Sequence, residues 1–391
     1  MAILPLETMI MYYPWGSHEA LASLQGRTVP SPLPEAELWM GAHPKATSRV
    51  RGRSLRKIIA SDPVGVLGRE SVASHGERLP YLFKLLAAAE PLSIQAHPDR
   101  EQARAGYARE NDHEIGFDDP ARCYRDDNHK PEVVYALSEF WALNGFRPVD
   151  EILELIDHAG LDAIAAEASA LKATARLEDF FPAVMRLDAE RRASLTGQLM
   201  AAASGMFCGR PEGRWLHRIN SVFPGDPGLL SVLMLNLVRL EPGQIMASQA
   251  GTLHAYLGGF CVELMANSDN VLRGGLTTKY IDLDELTRIL SFAPHTPEIR
   301  TLGDEAYDSP SGEFRLEVIR VNDNWTAPAL HGCDIIVVTS GSGTVTDHLD
   351  HESFFLESGE ACVITASTGS YELAGAMTIA RASVPDSAGS S

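Results

Sequence analysis

The spacing of hydrophobic residues divides the chain into stretches that predict different secondary structure. Up to residue 148, short apolar runs alternate with Gly, Pro and charged residues, a pattern typical of short strands joined by turns. Between residues 150 and 205 the sequence is rich in Ala, Leu and Glu, and apolar residues such as Ile152 and Ile156 recur at helical spacing. We therefore predict a helical subdomain over residues 149–228.

Strand patterns return after residue 228. The run Leu229–Leu240 is almost continuously apolar and ends at a Pro-Gly turn, whereas Gly259–Ala266 alternates, with Glu263 opposite the face that carries Phe260 and Leu264. From about residue 314 onwards, short Val-, Ile- and Thr-rich runs are separated by Gly and Ser. We predict one β domain formed by residues 1–148 and 229–300, and a second formed by residues 301–391.

A weak internal repeat bears on the fold class. Aligning Glu241-Pro-Gly with Glu357-Ser-Gly, at an offset of 116 residues, superimposes Thr252 on Thr368 and His254 on Ser370. The identities are few, and a chance match is an equal alternative. If the repeat is real, the fold is mainly β, with two jelly-roll β-sandwich modules and a helical insertion, and the second module has lost a histidine.

Composition excludes several classes of function. The 391 residues include 52 Asp and Glu against 33 Lys and Arg, a formal net charge of −19, which repels nucleic acid and anionic lipid surfaces. No apolar run reaches the roughly 18 residues of a membrane span, and the N-terminus does not resemble a signal peptide. The five scattered Cys form no CxxC pair and indicate a reducing compartment. We expect a cytoplasmic monomer that binds a small molecule.

Three polar motifs contain residues that are able to bind a metal. Gln95 and His97 lie two apart in a predicted strand and therefore share a face. Glu132 opens an apolar run, where a carboxylate needs a partner, and His254 has small neighbours that leave space around it. Each motif alone has an ordinary structural explanation: a strand end, a solvated turn and a structural histidine. Together they form a mixed N/O set that suits Zn²⁺, with Fe²⁺ and Mn²⁺ as alternatives.

A polar loop between residues 267 and 279 is a candidate anion site. Arg273 is followed by two glycines, and Lys279 comes six residues later. Such a pair of cations is able to bind a phosphate or a developing oxyanion. The alternative is a surface hairpin whose charges are solvated.

In this order, the motifs resemble those of the type I phosphomannose isomerase family. Six stretches, which run from residue 13 to about 280 and skip the helical region, carry the resemblance: Tyr13-Pro-Trp-Gly16, Glu37-Leu-Trp-Met-Gly-Ala-His-Pro44, Leu92-Ser-Ile-Gln-Ala-His-Pro98, Asn128-His-Lys-Pro-Glu132, Ala250-Gly-Thr-Leu-His-Ala-Tyr256 and Asn267–Lys279. The resemblance implies a cupin-class zinc enzyme that interconverts mannose 6-phosphate and fructose 6-phosphate. It also implies a second β module that binds no metal.

The resemblance further implies roles for individual residues. One zinc ion per chain would be held by four ligands, namely Gln95, His97, Glu132 and His254. Arg273 matches the family's active-site arginine, and other residues match positions that line its pocket: Lys84, Lys130, Glu263 and Lys279. Aldose–ketose exchange moves a proton between C2 and C1 through an enediol. We assign this transfer to Glu263, stabilisation of the enediolate to Arg273 and the metal, and the positive field for the phosphate to the three lysines.

Two other functions fit part of the same pattern. Two His and one carboxylate also suit an Fe²⁺ cupin oxygenase, although an amide ligand and a cluster of cations have no evident use there. A non-enzymatic, metal-bearing cupin that binds sugar phosphates would keep the ligands and the cations. It would have no need of a proton-transfer group such as Glu263.

Overall fold

Two large antiparallel sheets dominate the computed structural model, which describes residues 3–303 and 305–385. Up to residue 148 the elements are β1 (Ile3–Pro5), β2 (Met9–Ser17), α1 (Ala20–Leu24), β3 (Glu35–Met40), β4 (Arg49–Val50), β5 (Arg53–Ser54), α2 (Leu55–Ser61), α3 (Pro63–Leu67), α4 (Arg69–His75), β6 (Tyr81–Ala88), β7 (Ile94–Ala96), α5 (Arg100–Asp112), β8 (Glu132–Ala136) and β9 (Phe140–Phe146).

A block of helices follows, as the apolar spacing predicts. Its members are α6 (Val149–Ala159), a 3₁₀ helix (Asp162–Ile164), α7 (Ala165–Thr174), α8 (Leu177–Met185), α9 (Ala189–Ser204), α10 (Pro211–Val222), a second 3₁₀ helix (Pro227–Leu230) and α11 (Ser231–Met234). Their apolar faces form one core with the adjoining part of the first sheet. Among the described helices, none has the length and apolar character needed to span a bilayer.

The apolar run Leu229–Leu240 is a strand only in its second half. Asp226 accepts a hydrogen bond from the Gly228 N–H and Pro227 occupies the first helical position, so a helical turn begins here. The chain stays helical to Met234, and only Leu235–Leu240 forms β10. A run that is buried on every side has no periodicity, and its spacing therefore does not distinguish helix from strand.

The rest of the described chain is mainly β structure, with one short α-helix and one 3₁₀ helix. Its elements are β11 (Gln244–Ser248), β12 (His254–Ala266), β13 (Leu272–Gly275), α12 (Leu283–Ile289), β14 (Ile299–Thr301), β15 (Tyr307–Asp308), β16 (Arg315–Val321), β17 (Asn324–Thr326), β18 (Asp334–Asp347), β19 (Ser353–Glu357), β20 (Ala361–Ile364), a 3₁₀ helix (Ala366–Thr368) and β21 (Tyr371–Ser383). The mainly β fold with a helical insertion is confirmed. The last six residues of the predicted C-terminal domain, 386–391, lie outside the described part.

A single bent strand, β12, organises the first sheet. Its first half pairs with β9 and β7, and its second half pairs with β6 and β8. The change occurs at Gly258 and Gly259, where the register shifts and Gly259 has a φ of 122°. A Cβ at Gly259 would lie 2.5 Å from the Glu139 carbonyl oxygen, so only glycine fits. The bend lets the two halves of β12 bring polar residues together.

The second sheet has the order β1-β20-β18-β21-β16-β15 and joins the first through a shared core. Strand β1, from the N-terminal end of the chain, pairs with β20. The Tyr81 hydroxyl of β6 donates to the carbonyls of Cys333 and Ala382 at 3.1 and 3.0 Å. The two β modules are therefore docked by backbone pairing, apolar packing and buried hydrogen bonds.

Candidate active site

Three side chains from three strands meet in the interior of the first module. His97 follows β7, Glu132 begins β8 and His254 begins β12. One potential ligand atom from each lies within 4.8 Å of the others. All three residues are buried, with exposed fractions of 2% or less. The structure thus brings together three of the four residues predicted to bind metal.

The two imidazoles are oriented by backbone carbonyls. The Nδ1–H of His97 donates to the Asn270 oxygen at 2.6 Å, and that of His254 donates to the Thr252 oxygen at 2.9 Å. Each Nε2 is therefore on the side of its ring that faces the interior. Both Nε2 atoms are buried without a hydrogen-bond partner among the described groups, and they lie 3.4 and 3.5 Å from oxygens of Glu132. Histidine ligands of zinc are held in this way.

The protonation states also suit a metal. Burial, and then the neighbouring Lys130, lower the pKa of His97 to about 4, so its ring is neutral at pH 7. Burial by itself would raise the pKa of Glu132, but Lys130 and the imidazoles outweigh it and hold that pKa well below its usual range. The Lys130 ammonium lies 2.7 Å from Oε1 of Glu132. The neutral His97 imidazole and the ionised Glu132 carboxylate belong, with the His254 imidazole, to a donor set of the kind that binds Zn²⁺.

Gln95 lies in β7, between the strands that carry His254 and Arg273. It is directly opposite His254 on one side and Arg273 on the other. Residues that are directly opposite in neighbouring strands share a face of the sheet. The register therefore places Arg273, Gln95 and His254 in one row, with the Gln95 side chain on the face that carries His254. Its role as a fourth ligand stays a prediction.

A second buried polar cluster lies beside the first. Lys84 donates to Glu263 at 2.8 Å and to Glu37 at 3.3 Å. Burial raises the pKa of Glu263, against the opposing effect of Lys84, while the two carboxylates more than offset burial and raise the pKa of Lys84. Because Glu132 is opposite Met265, Glu263 is its diagonal neighbour, roughly 7–8 Å away.

Sequence reasoning missed several residues of this region. Glu37 has no role of its own in the sequence analysis, although it is one of two carboxylates, with Glu35, in the fully buried strand β3. Two further residues have no comparable signal in the sequence. They are Asn270, whose carbonyl orients His97, and His43, whose Nε2 lies 3.5 Å from Asp269. Their contacts join segments that are distant in the sequence.

A cleft of 1100 Å³ reaches Arg273, which lies in β13 opposite Gln95, and it is also lined by the preceding segment from Asn267 to Val271. Its cations include Lys45, Arg273 and Lys279. Among the described residues, no carboxylate lies within ion-pair distance of these three side chains. Lys84 and Lys130, in contrast, are buried in ion pairs with glutamates. Of the cations predicted from the sequence, Arg273 and Lys279 line the cleft, and neither has a carboxylate partner in the described part of the chain.

Comparison with known proteins gives a consistent result. Residues 3–149 match the model of the phosphomannose isomerase type I catalytic domain. The mannose-6-phosphate isomerase of Escherichia coli K12 is 37% identical over 384 residues, which cover 95% of this chain and 97% of the relative. The Schizosaccharomyces pombe enzyme is 34% identical, with 86% of this chain and 89% of the relative covered.

The fold is equally similar. A crystal structure of the Salmonella typhimurium mannose 6-phosphate isomerase, with fructose 6-phosphate and zinc bound, superimposes with a TM-score of 0.90 at 34% identity. The match covers 99% of this chain and 100% of that one. The resemblance indicated by the sequence motifs is therefore confirmed, and the chain belongs to the type I mannose-6-phosphate isomerase family.

Proposed function

We propose that this protein is a zinc-dependent isomerase that interconverts mannose 6-phosphate and fructose 6-phosphate. The observation that carries the proposal is the pair of buried, unpartnered Nε2 atoms of His97 and His254 facing Glu132. Family membership supports the substrate, since the relatives bear this activity in their names.

One zinc ion per chain would be held by His97, Glu132 and His254, with Gln95 as the fourth ligand. When bound, it supplies a Lewis acid that polarises the sugar's carbonyl and hydroxyl oxygens. Among the described residues, three buried carboxylates of the two clusters, Glu37, Glu132 and Glu263, form ion pairs with two lysines, Lys84 and Lys130. A divalent cation would offset this excess of negative charge.

The chain's own residues carry the proton transfer in this proposal. Glu263 takes a proton from one of C1 and C2 and returns it to the other, while the hydroxyl proton moves in the same direction between O1 and O2. Its raised pKa brings it nearer to the operating pH, as such a role requires. Lys84 holds the carboxylate in place through its 2.8 Å hydrogen bond. Arg273, which has no carboxylate partner in the described structure, stabilises the negative charge of the enediolate oxygens.

The phosphate would bind towards the open part of the cleft. Lys279 is exposed there, and Lys45 lines the same cleft. Lys84 and Lys130 also contribute positive charge, but their glutamate partners neutralise most of it. We therefore assign the main phosphate contact to Lys279, with Lys84 and Lys130 acting through the local field.

We also propose that the protein works as a monomer in the cytoplasm. All five cysteines are free thiols, and all but Cys208 are buried, which suits a reducing compartment.

The test is an anaerobic assay of the zinc-loaded protein with mannose 6-phosphate, read as fructose 6-phosphate formed. We expect turnover without dioxygen, and a far lower kcat/KM for free mannose, since a lost charge-assisted contact costs about 1.5–3 kcal/mol. Turnover only with Fe²⁺ and dioxygen would indicate the oxygenase. Sugar-phosphate binding without turnover would indicate the non-enzymatic cupin.

A further inference from the structure

One carboxylate of the second β module contacts the region around the metal site. Glu313, just before β16, accepts a hydrogen bond from Nε2 of His129 at 2.6 Å and forms an ion pair with Arg100. Arg100 and His129 also contact each other, at 2.9 Å. The Glu313 side chain is 3% exposed and that of His129 is 12% exposed, whereas the Arg100 side chain is 45% exposed, so the ion pair with Arg100 is open to solvent on one side.

The two partners of Glu313 lie next to the residues proposed to bind zinc. Arg100 is the first residue of α5 and comes three positions after His97. His129 immediately precedes Lys130, whose ammonium pairs with Glu132. A single carboxylate therefore contacts two segments that are separate in the first sheet. One segment carries His97 and the other carries Glu132, two members of the buried triad of His97, Glu132 and His254.

The backbone next to Glu313 is anchored to the core. The neighbouring Phe314 is fully buried in the core shared by the two modules, and the Ser309 N–H donates to the Phe314 carbonyl at 2.9 Å. The modules are also docked elsewhere, by Tyr81 and by the pairing of β1 with β20. The Glu313 contact is therefore not the only link between them.

We propose that Glu313 is a positioning residue, through which the second module sets the geometry of the metal site in the first. The inference rests on the proposed function, because it assumes that His97 and Glu132 bind zinc. It assigns a role in metal binding to a residue more than fifty positions beyond the last proposed ligand in the sequence. The residue touches neither metal nor substrate, and it acts through Arg100 and His129.

The test measures zinc affinity by competition with a chelator. Residues that bond directly to metal ligands change metal affinity by roughly 10–100-fold. Glu313 acts at one step further from the ligands, so we expect the lower figure, about tenfold weaker binding, as the upper limit for Glu313→Ala. Glu313→Gln keeps an acceptor oxygen but loses the charge, so it should fall between the alanine variant and the unmodified protein.

Tyr81→Phe is the matched control, because it removes interdomain hydrogen bonds that do not involve Arg100 or His129. It should bind zinc as tightly as the unmodified protein. A folded Glu313→Ala with affinity within twofold of normal would overturn the inference, and so would an equal loss in Tyr81→Phe. If the alanine variant does not fold, Glu313→Gln decides by the same criterion. Failure of the unmodified protein to bind zinc would instead disprove the proposed function.

Discussion

Arg273 combines a permanent charge with a position beside the proposed ligands. It is half-buried, lies opposite Gln95 and has no carboxylate partner in the described structure. Such a group stabilises charge that appears only in the transition state. Removing the group typically lowers the rate by a factor of roughly 10²–10³. Arg273→Ala should therefore keep its zinc and its fold, bind substrate within about tenfold of normal, and show a much reduced kcat in steady-state assays.

Arg273→Lys should recover only part of that loss, because an ammonium does not present the planar fork of a guanidinium. If Arg273→Ala instead raised KM at unchanged kcat, the residue would be a phosphate clamp, and the assignment to the enediolate would be wrong.

Lys84 illustrates how buried charges depend on each other. It is 6% exposed and lies between Glu37 and Glu263. Removing one partner of a buried ion pair leaves an uncompensated charge and costs about 3–5 kcal/mol. Lys84→Met should lower the free energy of unfolding by that amount in urea titrations. Lys279→Met, at an exposed cleft position, is the control and should change stability by less than about 0.5 kcal/mol. Equal stabilities for the two variants would refute this account of the cluster.

The residues predicted from sequence are those whose signals are local. Gln95 and His97 lie two apart in a predicted strand, although β7 itself ends at Ala96. Glu132 and His254 stand out against apolar or small neighbours. Glu313 and Asn270 had no local signal, because a contact with His129 or His97 depends on how distant segments pack. The second role of Lys84, as the partner of both Glu37 and Glu263, likewise appears only once three strands are side by side.

At the level of secondary structure, the bend in β12 holds the two halves of the site in place. Ala at position 259 would meet backbone atoms of Glu139 and Phe140 at 2.5 and 2.8 Å, at a φ of 122°. Backbone strain of this kind costs roughly 1–3 kcal/mol even without a clash, so Gly259→Ala should lose more than about 2 kcal/mol of stability and bind zinc more weakly.

Gly116 is the matched control for this change, since a Cβ there meets no atom within 4 Å. Gly116→Ala should leave stability and zinc content unchanged. If Gly259→Ala had the zinc affinity and the free energy of unfolding of the unmodified protein, the bend would not be needed to assemble the site.

Element types followed from the sequence wherever the apolar spacing had a clear period. The alternation in Gly259–Ala266 correctly separated Glu263 from the core-facing Val262 and Leu264. The strand prediction for the run that begins at Leu229 was wrong in its first half. These residues are fully buried among the helices, so the helical turn has no polar face that would reveal its period. The pairing of β1 with β20 was also beyond prediction, because strand order depends on contacts across the whole chain.

For the whole molecule, the two β modules differ in their chemistry. Ser370 stands where the weak internal repeat would place a counterpart of His254, and its hydroxyl donates to the Ala327 carbonyl at 3.1 Å. Losing one such bond costs about 0.5–1.5 kcal/mol, so Ser370→Ala should leave zinc content and turnover nearly unchanged. A large fall in turnover in a folded Ser370→Ala would mean that this module has a direct part in catalysis.

The central claim is that one zinc ion, held by the buried triad, supports the isomerase reaction. Zinc content and fructose 6-phosphate formation, measured together for the unmodified protein and for His254→Ala, test it most directly. We expect one zinc per chain in the unmodified protein, parallel loss of metal and activity during chelation, and little metal or turnover in His254→Ala. Stoichiometric zinc in His254→Ala, or full turnover by the zinc-free protein, would contradict the account.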